Sequence, residues 1–121
     1  MNRDRVVLCA SSAYDKKYYF NEEFKMLPEQ IKNELKIMCV LYTEDVGGIL
    51  VLEFDNDGNL LFRVEADEGD YLFDEIGSGL KIKELQRTKK ELLQSLELFY
   101  KVFFFNENIS EILNENREEG K

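Results

Sequence analysis

The sequence predicts a single α+β domain: two layers, with an antiparallel sheet of about four strands and helices on one face. Three observations predict it. Ile49–Phe54 and Leu60–Ala66 are apolar segments on either side of Asp55-Asn56-Asp57-Gly58-Asn59, a hairpin turn with its glycine where positive φ is needed. Apolar residues from Ile31 to Val46, and again from Leu85 to Phe103, recur at helical spacing. A chain of 121 residues, 44% hydrophobic with 9 Phe and 6 Tyr, supplies one core and is too short for two. The expected order is β-β-α-β-β-α-α. Residues 1–105 form the domain, and 106–121 an acidic C-terminal tail that is loosely helical or disordered.

Val6-Val7-Leu8-Cys9-Ala10 reads as a strand apolar on both faces, hence central. Ser11-Ser12-Ala13 suits a turn. Lys16 to Phe20 carries Tyr18, Tyr19 and Phe20 in succession, which favours a second strand and a hairpin with the first. Leu27-Pro28 announces a helix, with Pro28 at its first position and Glu29 after it. Ile31, Leu35, Met38, Cys39, Tyr42 and Val46 then keep helical phase. The apolar run Ile37–Tyr42 also fits a buried strand. The phase begins before that run and passes through it, which favours one helix over 28–45, stopped by Gly47-Gly48. In the following strand, Leu50, Leu52 and Phe54 share one face, and Ile49, Val51 and Glu53 the other. Leu60, Phe62, Val64 and Ala66 alternate in the same way against Leu61, Arg63 and Glu65. Asp67-Glu68-Gly69-Asp70 is a break. Asp70 is placed to cap a short helix carrying Tyr71, Phe73 and Ile76, which Gly77-Ser78-Gly79 interrupts or kinks. A long helix over 80–105 follows, with Leu85, Leu92, Leu96, Phe99 and Phe103 as its stripe.

The residue inventory excludes several chemistries. There is no histidine, so neither a Ser-His-Asp triad nor a Cys-His pair can form within the chain. Cys9 and Cys39 are far apart and sit in apolar runs, so a CxxC zinc or redox motif is absent and two buried free thiols are expected. No Gly-rich phosphate loop occurs. No cofactor or metal is expected. No apolar run approaches the ~20 residues of a membrane span. The short apolar start, broken by Tyr14-Asp15-Lys16-Lys17, does not fit a signal peptide, so a cytoplasmic protein is expected.

Charge is uneven. Residues 44–75 carry 11 acids against Arg63 alone, in a chain of net charge −9. Such a chain is a poor nucleic-acid binder, because phosphate contacts need Lys and Arg. The densest acidic group is Asp67, Glu68, Asp70, Asp74 and Glu75, and Asp70 and Asp74 would be i,i+4 neighbours on a helix. Asp67, Asp70, Asp74 and Glu75 form a candidate cluster for a cation or a basic partner, though caps and solvation are the ordinary use of such acids. The Asp55–Asn59 loop lacks the EF-hand spacing, with glycine fourth instead of sixth and Ala66 at the twelfth position. Lys81, Lys83, Arg87, Lys89 and Lys90 make a basic segment, a solvated helix face or a site for an anionic partner. The helix end Leu98–Phe105 is apolar nearly all round and needs cover on every side. Phe99, Tyr100, Phe103 and Phe104 are therefore the candidate interaction surface, for a protein partner or a homodimer.

A wider set of segments carries a resemblance. It comprises Lys17-Tyr18-Tyr19-Phe20-Asn21, Phe24, Leu27-Pro28, Ile31-Lys32, Glu34-Leu35, Ile37–Leu41, Thr43–Leu50, Phe54-Asp55, Asp74–Ser78, Leu80–Arg87 and Leu98–Phe104. Together these resemble a family of small cytoplasmic proteins from anaerobic Gram-positive bacteria, a domain of unknown function. The resemblance covers roughly residues 6–105. It implies a bacterial cytosolic origin and supplies no activity, cofactor or site residue. The residues therefore leave three readings: a non-catalytic acidic interaction or regulatory protein, a chaperone-like binder of extended peptides, and, weakest without histidine, a metal-dependent enzyme using the carboxylates of 67–75.

Overall fold

The computed structural model describes residues 5–105. The acidic tail expected over 106–121 lies outside the described residues. Strands β1 (Val6–Ser12) and β2 (Lys17–Phe20) are followed by a 3-10 turn at Glu22–Phe24 and helix α1 (Glu29–Val46). Then come β3 (Ile49–Phe54), β4 (Leu60–Glu65), α2 (Glu75–Thr88) and α3 (Lys90–Tyr100), which continues as a wider π turn over Lys101–Phe105. The four strands form one antiparallel sheet in the order β2-β1-β3-β4. This is the expected α+β fold.

Strand β1 is central because both of its faces are apolar, but it runs through Ser11 and Ser12, which were expected to turn. The turn is Ala13–Lys16, with Lys16 in the left-handed region at φ 53°. Ser11 stays in the strand because its hydroxyl has a buried partner, Thr43 Oγ1 of α1, at 2.9 Å. The register against β3 shifts between Val7 and Cys9. This bulge lets the consecutive residues Leu8 and Cys9 both be buried.

The 49–65 hairpin pairs in the register Ile49↔Glu65 to Phe54↔Leu60. Its turn is held by Asp55, whose carboxylate accepts the Asn59 and Asp57 N–H groups, each at 2.9 Å. Those bonds, the Asn59 N–H first, hold the Asp55 carboxyl below its ordinary range. Leu50, Leu52 and Phe54 of β3 face Leu35, Met38, Cys39, Tyr42 and Val46 of α1 and Leu92, Leu93, Leu96 and Tyr100 of α3 in one core. The alternation that sorts β3 by face thus fixes where the helices lie.

Residues 37–42 are helical, within α1. Gly47 ends the helix at φ 85°, its N–H donating to Thr43 O. Gly48 matters more. At φ 74°, a Cβ there would stand 2.7 Å from Glu65 O and 2.8 Å from the Phe73 ring. Gly48→Ala is expected to cost about 2 kcal/mol or more, from backbone strain and displacement of β4 together. Urea unfolding checks it as a lower midpoint at unchanged slope.

Two expectations about the helices are corrected. No short helix forms on Asp70: Tyr71 and Leu72 lie in a turn, and α2 begins at Glu75 with Asp74 as its cap. Asp74 wins because its carboxylate accepts the Gly77 N–H at 2.8 Å, and a Cβ at residue 77 would sit 2.1 Å from that carboxylate. Gly77 therefore makes room for the cap instead of breaking the helix. The helix expected over 80–105 is also divided. Thr88 Oγ1 donates back to Glu84 O, a bond that bends helices, and Lys89 leaves helical geometry at φ −106°, ψ 25°. The corner sends Ile82 and Leu85 toward α1, and Leu92, Leu93, Leu96 and Tyr100 toward the sheet.

Candidate functional site

The acidic cluster does not converge. Tyr14 Oη donates to Asp70 at 2.5 Å and accepts the Asp67 N–H at 2.8 Å, so the 67–70 turn is tied to the β1–β2 turn. The bond to Asp70 raises the Tyr14 pKa. Asp70 also accepts the Leu72 N–H at 3.0 Å. Asp74 caps α2, and Glu75 is exposed in its first turn. Asp70 and Asp74 are not helical neighbours, because the segment between them is irregular. Among the described residues no three His, Cys, Asp or Glu side chains are placed to hold a metal ion. Asp67, Asp70 and Asp74 are thus engaged in turns and a cap.

The aromatic end divides by face. Tyr100 is buried, stacked on Phe54 with centroids 4.2 Å apart and planes 10° from parallel. Phe104 packs on Tyr100 at 4.5 Å and on Phe24 at 5.5 Å. Much of the cover this helix end requires therefore comes from its own chain. Phe99 and Phe103 stack on each other at 5.6 Å and stay half-buried, while Leu98 and Val102 are exposed.

A second apolar surface was not singled out from the sequence. Helix α2 packs through Ser78, Ile82 and Leu85, and Ser78 hydrogen-bonds Tyr42 of α1. On its opposite side, one face carries Ile76, Leu80, Lys83 and Arg87 at i, i+4, i+7 and i+11. Ile76 is 79% and Leu80 64% exposed. On α1, Ile37 (58%) and Leu41 (56%) point outward and line a groove with Leu85, rimmed by Lys81 and Lys89. Lys81 bridges to Asp45 at 3.4 Å and Lys89 to Glu34 at 3.2 Å. Lys83 and Arg87 form no ion pair among the described residues. Ile37 and Leu41 fall outside the buried phase of α1, but that phase is masked by the apolar run Ile37–Tyr42, in which exposed and core residues read alike.

On the other side of α1, a cleft of about 840 Å³ opens between its C-terminal half and the β1–β2 hairpin. Ser11, Thr43, Tyr18 and Val40 line it, with Lys16, Lys17 and Lys36 around it. Beneath Tyr18, the Sγ atoms of Cys9 and Cys39 lie 3.9 Å apart, buried and free. Contact with the Cys9 thiol and burial push the Cys39 thiol far above its ordinary pKa, and burial does the same to the Tyr18 hydroxyl. The Cys39 thiol therefore stays protonated and is a poor nucleophile.

Among the described residues no helix is long and apolar enough to cross a membrane. No curated protein and no solved structure matches the chain. A family model does match, over residues 5–108, a span that holds every element of the sheet and its helices. The chain belongs to that family, the family of unknown function DUF6145.

Proposed function

We propose that this chain is a non-catalytic interaction protein that receives an acidic amphipathic helix of a protein partner across the outer faces of α1 and α2. The observation that carries the reading is the second face of α2. Ile76 and Leu80 stand in water opposite the packed side, followed by the cations Lys83 and Arg87, which form no ion pair among the described residues. Apolar side chains set beside cations of one sign match a partner helix with an apolar stripe and acidic flanks. Ile37 and Leu41 add exposed apolar area on α1, beside Leu85 in the α1–α2 groove. The half-exposed Phe99–Phe103 stack, next to Leu98 and Val102, supports a contact at the far end of the helical layer, with self-association as its simplest form. The cytoplasmic setting and bacterial origin implied by the resemblance are part of this proposal, as is function without nucleic acid.

The test is a tagged pull-down from native-host lysate, at low and high salt, with mass and stoichiometry read out. Wild-type protein is expected to retain one dominant partner at fixed stoichiometry. The Leu41→Ser/Leu80→Ser variant, altered only at exposed positions, is expected to keep its stability within about 0.5 kcal/mol and to lose that partner. Undiminished capture by the variant overturns the assignment. Sedimentation supplies the control for self-association: a dimer that Phe99→Ser dissolves and Leu41→Ser/Leu80→Ser leaves intact moves the interface to the aromatic end.

A further inference from the structure

We propose that the cleft between β2 and α1 takes up an extended acidic peptide segment, which adds as a strand to the open edge of β2 and sets its carboxylates against Lys16, Lys17 and Lys36. The inference rests on the reading of this chain as an interaction protein, and it uses a different face from the α1–α2 groove.

The sheet order leaves β2 at an edge. Among the described residues it pairs with β1 alone, so a row of its N–H and C=O groups faces outward. The cleft begins at that edge and runs under it to α1. A strand laid on β2 therefore sends alternate side chains into the cleft, where Tyr18 and Val40 give an apolar wall. Backbone pairing supplies affinity, and the cleft supplies selection.

Charge decides what kind of strand is accepted. In a chain of net charge −9, Lys16, Lys17 and Lys36 gather at this cleft and form no ion pair among the described residues. Asp45 shares the cleft but is drawn away to Lys81 at 3.4 Å, which leaves Glu44 against three ammonium groups. The serine and threonine protons of the cleft are already committed, whereas the buried Tyr18 hydroxyl has no hydrogen-bond partner among the described residues. Ser12 donates to Asp15, and Thr43 donates to the carbonyls of its own helix, so its oxygen accepts from Ser11. The donors left over are the ammonium groups, the Tyr18 hydroxyl and the edge N–H groups of β2. A partner must therefore offer acceptors, namely main-chain carbonyls and carboxylates. A second copy is a poor occupant, because its own β2, Lys17–Phe20, carries no carboxylate to set against Lys16, Lys17 and Lys36.

Random heptapeptides displayed on phage, panned on the full chain and counter-selected on a Lys16→Glu/Lys17→Glu/Lys36→Glu variant, test the proposal. Enriched sequences are expected to be acidic and to alternate with β-branched residues. The best of them, made synthetically, is expected to shift the amide resonances of Lys17–Phe20 and of Val40–Glu44. Affinity should fall by about tenfold or more for the triple variant, whose altered positions are exposed, and for a peptide with proline at alternate positions. The Ile37→Ser/Leu41→Ser variant is expected to bind the peptide as wild type does, so failure of the α1–α2 assignment is read separately. Absence of enrichment, equal enrichment on the triple variant, or shifts confined to Ile37, Leu41 and Leu80 each overturn the proposal.

Discussion

Phe54→Ala is expected to lower the stability of the fold by about 3–5 kcal/mol. Phe54 ends β3, is fully buried, and sits between two rings, with Phe24 at 5.7 Å and Tyr100 at 4.2 Å. Truncation removes the transfer free energy of the ring and leaves a cavity among groups that cannot all close on it. Phe24 hangs from the 3-10 turn, Tyr100 from α3, and the Leu60 N–H is fixed by the Glu97 carboxylate at 2.8 Å. Three separate elements would have to move at once. Domains are stable by only about 5–15 kcal/mol, so such a loss is a large fraction of the whole. Urea unfolding is the measurement. A Phe54→Ala/Tyr100→Ala cycle should also show a coupling of about 0.5–1.5 kcal/mol from the stacked pair, beyond the area each ring buries. A loss under about 1 kcal/mol for Phe54→Ala would mean that α3 does not close over the sheet as described.

The second large effect lies on the opposite face of the sheet. Glu53 is only 3% exposed, and one oxygen of its carboxylate accepts from Arg5 at 2.8 Å and from Arg63 at 3.2 Å. The two arginines are themselves about two-fifths exposed. Their position makes the site asymmetric. Arg5→Ala/Arg63→Ala leaves a buried carboxylate with neither arginine, and is expected to cost about 2–4 kcal/mol. Glu53→Leu leaves two arginines that can turn to water, and puts an apolar side chain between Val7 and Leu61 in register. It is expected to change stability by less than about 1.5 kcal/mol in either direction. Equilibrium unfolding of the two variants at one pH and salt compares them directly. Equal costs would show that the pairs contribute mainly through Coulomb attraction rather than by satisfying a buried charge.

Legibility from the sequence followed the range of the interactions involved. The hairpin over 49–65 was readable because its register depends on a period of two and on one turn, all within 17 residues. Helix α1 was readable despite its β-like run, since the phase from Ile31 onward outlasts six residues. The aromatic end was recognised as needing cover, and the sequence could not say that Tyr100 finds it on Phe54, a residue 46 positions away. The acidic cluster was visible as charge and illegible as geometry, because Tyr14, the group that organises Asp67 and Asp70, comes from the other end of the chain.

Composition and periodicity, taken alone, determined the fold class, the element order and the faces of β3 and β4, and they removed histidine chemistry from consideration. These properties depend on neighbours within a few residues, where apolar spacing, glycine and proline act directly. Only the tertiary structure decided which strand is the sheet edge, that α2 turns Ile76 and Leu80 to water, and that Lys16, Lys17 and Lys36 meet at one cleft. An apolar residue reads the same in sequence whether it is covered or bare. Cover depends on how helices pack across the sheet, and that packing is settled by contacts between residues far apart in the chain.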